Sequence, residues 1–404
     1  LQTASTTWYY AWDTTGISTG TYTITVAGFD AGGLAYSDTT SLTLDVQRRI
    51  WLDPNGVTIK CPTANVSETA IINGKAYIVV DETVLRTRVT NGDDMTCVCT
   101  SQVTDMSGLF DSKTTFNDDI SSWDTSNVTV MSQMFSNASS FDQNIGSWDT
   151  SNVNEMSLMF SLASAFNNGG SNSINNWITT NVTRMNGMFQ HTRFFNQEVG
   201  DWDTSNVTVM NQMFYDANAF NNGGSNGINN WNTSMVTNMS YMFSQAYDFN
   251  QEISAWDTSK VTNMFLMFRA ASDFDQDLGE WDTSSATNMD DMFNDAISFN
   301  QDISKWCVTN ITSEPSNFSR NAPLISAYHP QWGTCPSQAE LYLITDGDLV
   351  IDYLEQISLT ASFTIPMNSP VIITASPTIA SLSNVTMAQT SSTLFTTNWD
   401  TTGL

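Results

Sequence analysis

Four groups of residues have types and spacings that could do chemistry. Cysteines occur only near the ends of a long central region: Cys61, Cys97 and Cys99 before it, Cys307 and Cys335 after it. Asp124, Asp149, Asp203, Asp257 and Asp282 recur at one point of a repeated phrase, with Ile178 and Asn232 interrupting the series. Met131, Met156, Met185, Met210, Met239, Met264 and Met289 form a second column. Only two histidines occur, His191 and His329. Carboxylates stacked on neighbouring strands would lie about 4.8 Å apart. Like charges that close are unfavourable unless hydrogen-bonded or neutralised. The Asp column is therefore a candidate cation or ligand stripe, with calcium as the cation. The plainer alternative is that each Asp accepts hydrogen bonds from the turn that follows it. A Met stripe could bind soft metals, but at helical spacing beside Phe it points to core packing. Cys97-x-Cys99 could start a zinc site, yet two further ligands are not visible. His191 replaces a helix-end residue and is expected at the surface.

The elements that position these residues come from one phrase, Trp-Asp-Thr-Ser-Asn-Val-Thr followed by Met-x-x-Met-Phe, first seen at residues 123–135. Trp123, Trp148, Trp177, Trp202, Trp231, Trp256, Trp281 and Trp306 mark its register at steps of 25 or 29 residues. Each longer step contains the same insertion, Gly169-Gly-Ser-Asn172 or Gly223-Gly-Ser-Asn226. A fixed period of this size predicts a solenoid, in which each unit buries its apolar face against its neighbours. Ile120-x-x-Trp123-x-Thr125-x-x-Val128 has the spacing of a leucine-rich-repeat strand and turn. Val128, Met131, Met134, Phe135, Ala138 and Phe141 then fall on one face of a helix, with Ser126 or Asn127 as N-cap. The expectation is a short strand plus a short helix per unit, with the Asp column on an open concave face. A ninth unit begins at Met95, with Val98 in place of Trp.

Residues 50 to about 100 lack the phrase but lead into it. Asn73-Gly74 between apolar runs predicts a hairpin. Asp81 to Val89 predicts a helix ending near Gly92. This block can cap the first coil. Cys99 and Cys307 both stand where the phrase has Asp, so both fall on terminal strands. The expected bridges are Cys307–Cys335 and Cys61–Cys99, with Cys61–Cys97 as the alternative. Structural disulfides imply an oxidising, extracellular setting.

The flanks read as strands. Tyr22, Ile24 and Val26 alternate with Thr, as do Leu42, Leu44 and Val46. The stretch 20–30 resembles the last strands of bacterial immunoglobulin-like modules. Residues 388–404 match residues 1–17 at a constant offset, sharing Gln-Thr and Trp-Asp-Thr-Thr-Gly. The expectation is a stretch cut from a longer chain that repeats its modules. Residues 1–49 would form the C-terminal part of one sandwich, 50–336 a capped α/β leucine-rich-repeat-like solenoid, and 337–404 the N-terminal part of a second all-β sandwich.

Composition narrows the function. Charged residues make up 13% of the 404 and net charge is -28. Nucleic-acid binding is not expected, because phosphate backbones need Lys and Arg clusters. No run is long and apolar enough to span a membrane, so no membrane insertion is expected. No His-Glu-x-x-His, Gly-x-Ser-x-Gly, P-loop or dinucleotide fingerprint occurs, and abundant acids do not nominate a glycosidase pair. No enzyme and no resident cofactor are expected.

The phrases Val103-Thr-Asp-Met-Ser-Gly-Leu-Phe110, Trp-Asp-Thr-Ser-Asn-Val-Thr and Phe299-Asn-Gln-Asp-Ile-Ser304 resemble the repeats of BspA-like leucine-rich bacterial surface proteins. The resemblance covers about residues 55–336. It implies a secreted or cell-surface adhesin, often of Bacteroidota and often with immunoglobulin-like modules, of the kind that includes giant gliding-associated flavobacterial adhesins. The implied partners are surface glycans or proteins, beside tandem modules of the same chain. No catalytic motif belongs to that pattern. The rival is a receptor module with a glycan or protein ligand on the concave face.

Overall fold

The computed structural model describes residues 49–336 in full. Outside that span it describes only the backbone of strands at 20–29, 35–44, 342–343, 349–350, 357–362, 372–373, 385–386, 388–389 and 394–399. Strands Gly20–Phe29 and Ala35–Leu44 pair antiparallel. The likeness of 388–404 to 1–17 involves residues outside the described ones.

The span opens with a cap. Strands Thr69–Ile72 and Lys75–Val79 form a hairpin. Asn73 and Gly74 turn it with φ of 51° and 79°. Positive φ at both central positions matches the right-handed strand twist, and Asn-Gly tolerates it. Helix Glu82–Asn91 follows, started by Asp81, whose side chain accepts the Val84 N–H, and ended by Gly92 at φ 76°. Its Leu85 and Val89 are buried. Strand Lys75–Val79 then pairs in parallel with Val98–Cys99, so the cap lies on the edge of the first coil.

From there the chain winds into coils stacked in register. Single parallel bridges link Asp105 to Val130, then Glu155, Arg184, Val209, Asn238, Asn263 and Asn288. The N–H groups of Met131, Gln133, Phe135 and Asn137 donate to the carbonyls of Glu155, Ser157, Met159 and Ser161 in the next coil, at 2.7–3.0 Å. The pattern recurs at Gly187, Phe189 and His191, which donate to Asn211, Met213 and Tyr215.

The segments expected as helices are overlapping turns instead. Met134 N–H donates to Met131, Ser136 to Gln133 and Ala138 to Phe135. Gln133 and Asn137 hold positive φ, as do Leu158 and Leu162 one coil on. Spacing explains the difference. Phe135, Phe160, Phe189 and Phe214 stack with ring centroids 5.4–5.6 Å apart and planes within 6°. Helices cannot approach closer than about 8–10 Å, and a helix would keep its N–H groups for itself. The stretch expected as a strand, 120–128, is turn and irregular backbone, and the one bridging residue per coil, Val130 in this unit, falls two residues after Val128. The apolar set read from the sequence is nonetheless buried, from Val128 to Phe141, because turns linked at i→i+3 return side chains to one side much as a helix does.

Inside a coil, Phe135 lies 3.9 Å from Phe141, stacked within 8°. Phe141, Phe166, Phe195 and Phe220 form a further column at 5.8–6.0 Å. Trp177 and Trp202 stack at 6.1 Å, as do Trp231 and Trp256. Each Phe of the first column, from Phe135 to Phe268, is therefore packed on two faces. Phe214→Ala in a middle coil should cost about 3–5 kcal/mol through the cavity it opens between two coils. Urea denaturation checks this; a loss under about 1 kcal/mol would mean that the column is not packed as described.

Candidate functional site

The Trp-Asp-Thr-Ser corner is where the candidate residues meet, and each has a separate task there. Trp148 donates its indole N–H to the Ile120 carbonyl of the preceding coil at 3.1 Å, and Trp202 does so to Ile174 at 3.0 Å. Buried Thr125 donates its hydroxyl to the Asp149 carbonyl of the following coil at 2.9 Å. Thr150, Thr179, Thr204, Thr233, Thr258 and Thr283 repeat that bond at 2.9–3.0 Å. Asn127, Asn152, Asn181 and Asn206 donate back to the preceding coil at 2.7–2.8 Å. One short phrase thus carries rungs in both directions.

The Asp side chains close the turn after Trp. Asp149 accepts the Ser151 N–H at 3.0 Å and hydroxyl at 2.6 Å, and Asp257 does the same with Ser259. Asp203 and Asp282 each accept the N–H of the serine two residues on, at 2.9 Å. Asn232 fills the place with the same bonds to Ser234. The hydroxyl and N–H of Ser205 hold the Asp203 carboxyl below its ordinary value of 3.8, and Ser259 does this for Asp257. These four carboxylates are exposed. Among the described residues no group of three or more His, Cys, Asp or Glu could hold a metal ion. Where Ile178 breaks the series, a shallow hollow opens, lined by Trp177, Ile178, Thr179, Asp201 and Asp203.

Asp124 differs from the rest of its column. It is 2% exposed and meets Lys60 of the cap at 2.7 Å. It also accepts the hydroxyls of Ser101 and Ser126. Burial pushes this carboxyl up, but Lys60, Ser101 and Ser126 together outweigh it and hold the group below 3.8. The pair clamps the cap strand Ile59–Lys60 to the first full coil.

Cys61 is bonded to Cys99, with Cα atoms 6.3 Å apart, and Cys307 to Cys335 at 4.0 Å. Cys97 keeps a free thiol and is half-buried. One bridge closes each end of the stack, as fits a secreted or extracellular protein. The methionine column is buried throughout. His191 is not simply exposed: it is half-buried, with Nδ1 2.8 Å from Asp216 of the next coil. His329 lies 3.7 Å from Glu314 in the last turn region.

A second polar column was not singled out from the sequence. Asn117 Oδ1 accepts the Asp142 N–H, and Asp142 accepts that of Asn167. The series runs on through Asn196, Asn221, Asn250, Asp275 and Asn300 at 2.8–3.0 Å. Its signal was legible: an Asn or Asp follows each Phe of the outer column. Asn168 and Asn222, fully buried just before the insertions, accept the N–H of Ile145 and Val199, and the insertion residues Gly169 and Gly223 donate their N–H to Asp142 and Asn196 of the column. The insertions thus act as longer rungs of the same ladder.

These features define a repeat protein whose coils are joined by side-chain and backbone ladders and sealed by disulfides. The chain belongs to the family described as Mycoplasma protein of unknown function, DUF285, whose pattern matches residues 82–173, 170–227 and 222–332. The joints between matches fall at the two Gly-Gly-Ser-Asn insertions. No curated protein and no solved structure matches the chain. No helix among the described residues is long and apolar enough to cross a membrane.

Carboxyls lowered on folding stabilise above their unfolded value, about 3.9, and lose that contribution as pH falls through the lower folded value. Stability should therefore drop below about pH 4, and Asp124→Asn should flatten the drop. Lys60→Met, which strands the buried carboxylate, should cost about 3 kcal/mol at pH 7. Denaturant midpoints across pH test both; an unchanged pH profile in Asp124→Asn would remove the clamp from the account of acid loss. Reducing the bridges, which span 38 and 28 residues, should cost about 3–4 kcal/mol each. Limited proteolysis should then cut first near 50–95 and 310–336; first cuts in the middle coils would contradict closure at the ends.

Proposed function

We propose that this chain is a non-catalytic, load-bearing stretch of a cell-surface adhesin. In this reading residues 50–336 form a capped solenoid akin to BspA-like leucine-rich repeats, set between immunoglobulin-like modules. The observation that carries it is where the polar groups go. Wherever the phrase carries them, its Trp, Thr, Asn and Asp bind the neighbouring coil or their own turn, at 2.6–3.2 Å. A continuous ladder with a disulfide at each end suits a part that must resist being unwound and keep one face straight. The extracellular setting that the bridges fit is where such a part would work.

The hollow beside Ile178 favours a second reading, a receptor module that holds a glycan or protein on the Asp face. Retention under flow separates the two. Beads carrying the full chain should be held on glycan- and protein-coated surfaces above the level of bare beads. Ile178→Asp and Asp203→Asn should leave retention unchanged for a general adhesin, and abolish it on one surface for a receptor. Beads washed off every surface would overturn both. If the exposed Asp residues serve only as turn acceptors, replacing Asp149, Asp203, Asp257 and Asp282 by Asn should leave the melting temperature equally insensitive to calcium. A calcium-dependent rise in the wild type, lost in that variant, would instead establish the cation stripe.

A further inference from the structure

The inward positions of the coils scarcely vary along the stack, so the outward positions of the turn face are where one coil differs from the next. Five successive coils carry an ordered set of side chains there. The first presents His191 and Arg193, both beside the largely buried Asp216 of the next coil at 2.8 and 3.5 Å, with Arg193 still 62% exposed and free to meet a second carboxylate. The second presents Tyr215, the third Tyr241, and the fourth Phe265 and Arg269. The fifth presents Asp290, Asp291 and Asp295, all part-exposed. The rings touch edge to face in series: His191 to Tyr215 at 4.9 Å, Tyr215 to Tyr241 at 5.6 Å and Tyr241 to Phe265 at 5.2 Å. They form one strip, already held in place by neighbouring rings, so little side-chain freedom remains to be lost on contact.

The order along the strip is basic, aromatic, aromatic, aromatic with Arg, acidic. Rotating it by half a turn about Tyr241 lays the basic coil on the acidic one. Tyr215 then meets Phe265 and Arg269, an aromatic and cation–π pairing, and Tyr241 meets itself. A surface that complements its own reversed copy is the mark of an isologous two-fold contact. We propose that the turn face between residues 186 and 295 is an interface through which two copies of this chain pair antiparallel, Tyr241 against Tyr241 and Arg193 against Asp290 and Asp291. Basic residues are scarce in this chain, 13 against 41 acidic ones, and most ways of bringing two copies together are repulsive. This face in this orientation is attractive, and at 0.15 M salt the remaining charge is screened beyond about 8 Å. Five coils span about 24 Å at a rise of some 4.8 Å each. Such a narrow face falls below about 1,200 Å² in total, the class of weak contacts, which tandem modules would strengthen by avidity.

The pairing deepens the adhesive reading and rests on it for its use, turning attachment into copy-to-copy adhesion. Self-association is read without any coated surface, so its failure would leave general attachment standing. Sedimentation equilibrium of the full chain should show a concentration-dependent dimer. Arg193→Glu should weaken it by about tenfold or more, and so should the double change Asp290→Lys with Asp291→Lys. Mixing the two variants should restore pairing to near the wild-type level, because both end contacts of the mixed pair then join opposite charges. Asp290 and Asp291 also accept hydrogen bonds from Ser316 and Asn317, so that variant could loosen the last coil. A second measurement avoids this: Tyr241→Cys in a Cys97→Ser background should cross-link far faster than Asp257→Cys, an exposed position of the Asp column. A chain that stays monomeric up to about 1 mM, folded variants that give no rescue on mixing, or equal cross-linking at both cysteines would each overturn the proposal.

Discussion

One spacing governs the molecule: successive coils lie about 5 Å apart, as the 5.4–5.6 Å steps between Phe rings record. At that distance a backbone N–H pointing along the stack finds a carbonyl of the next coil and nothing else. Buried backbone groups must be paired, so alternate residues of the turn segments are bound to the coil above. The same distance excludes helices and favours flat rings laid face on face. Two residues per turn segment therefore take positive φ to bring the chain round, which Asn, Gly and short polar residues tolerate best.

This constraint assigns the polar residues their tasks. A coil of this stack has no stability of its own, since its apolar face is covered only by its neighbours. Thr125 reaches forward, Asn127 reaches back and Trp123 reaches back with its indole N–H. Each coil is held to both sides by groups from one short phrase. The ends have no further coil to bind. At the start, the hairpin and helix cover the first coil, Lys60 meets Asp124, and Cys61 is tied to Cys99. At the far end, Cys307 and Cys335 do the same work, with Trp332 packed against Phe318 at 5.0 Å.

Much of this was legible in the residues, and the rest was hidden for a physical reason. The register of Trp, the buried columns, the Asn73-Gly74 turn and the cap helix between Asp81 and Gly92 could be read directly, because apolar period and turn chemistry are local. The helix in each repeat was misread from Met131, Met134, Phe135 and Ala138. Spacings of three and four arise both from helices and from overlapping four-residue turns, and periodicity alone does not distinguish them. What decides is the distance to the next coil, which no single coil encodes. His191 was misplaced for the same reason: its partner Asp216 lies 25 residues on, one coil above. The Asn and Asp column after each outer Phe was visible as a pattern, but its task depends on that neighbour too.

The measurement closest to the centre of this reading is the proton–proton contact between rings of adjacent coils. In a chain with ring-labelled phenylalanine, Phe189 and Phe214 should show cross-relaxation, as should Phe160 and Phe189, since their centroids are 5.6 and 5.5 Å apart. Substituting Phe214 by Leu should remove only the contacts that involve it. Absence of contacts between coils, with helical exchange protection running unbroken from Met131 to Ala138, would contradict it, because helices at about 8–10 Å cannot bring those rings together.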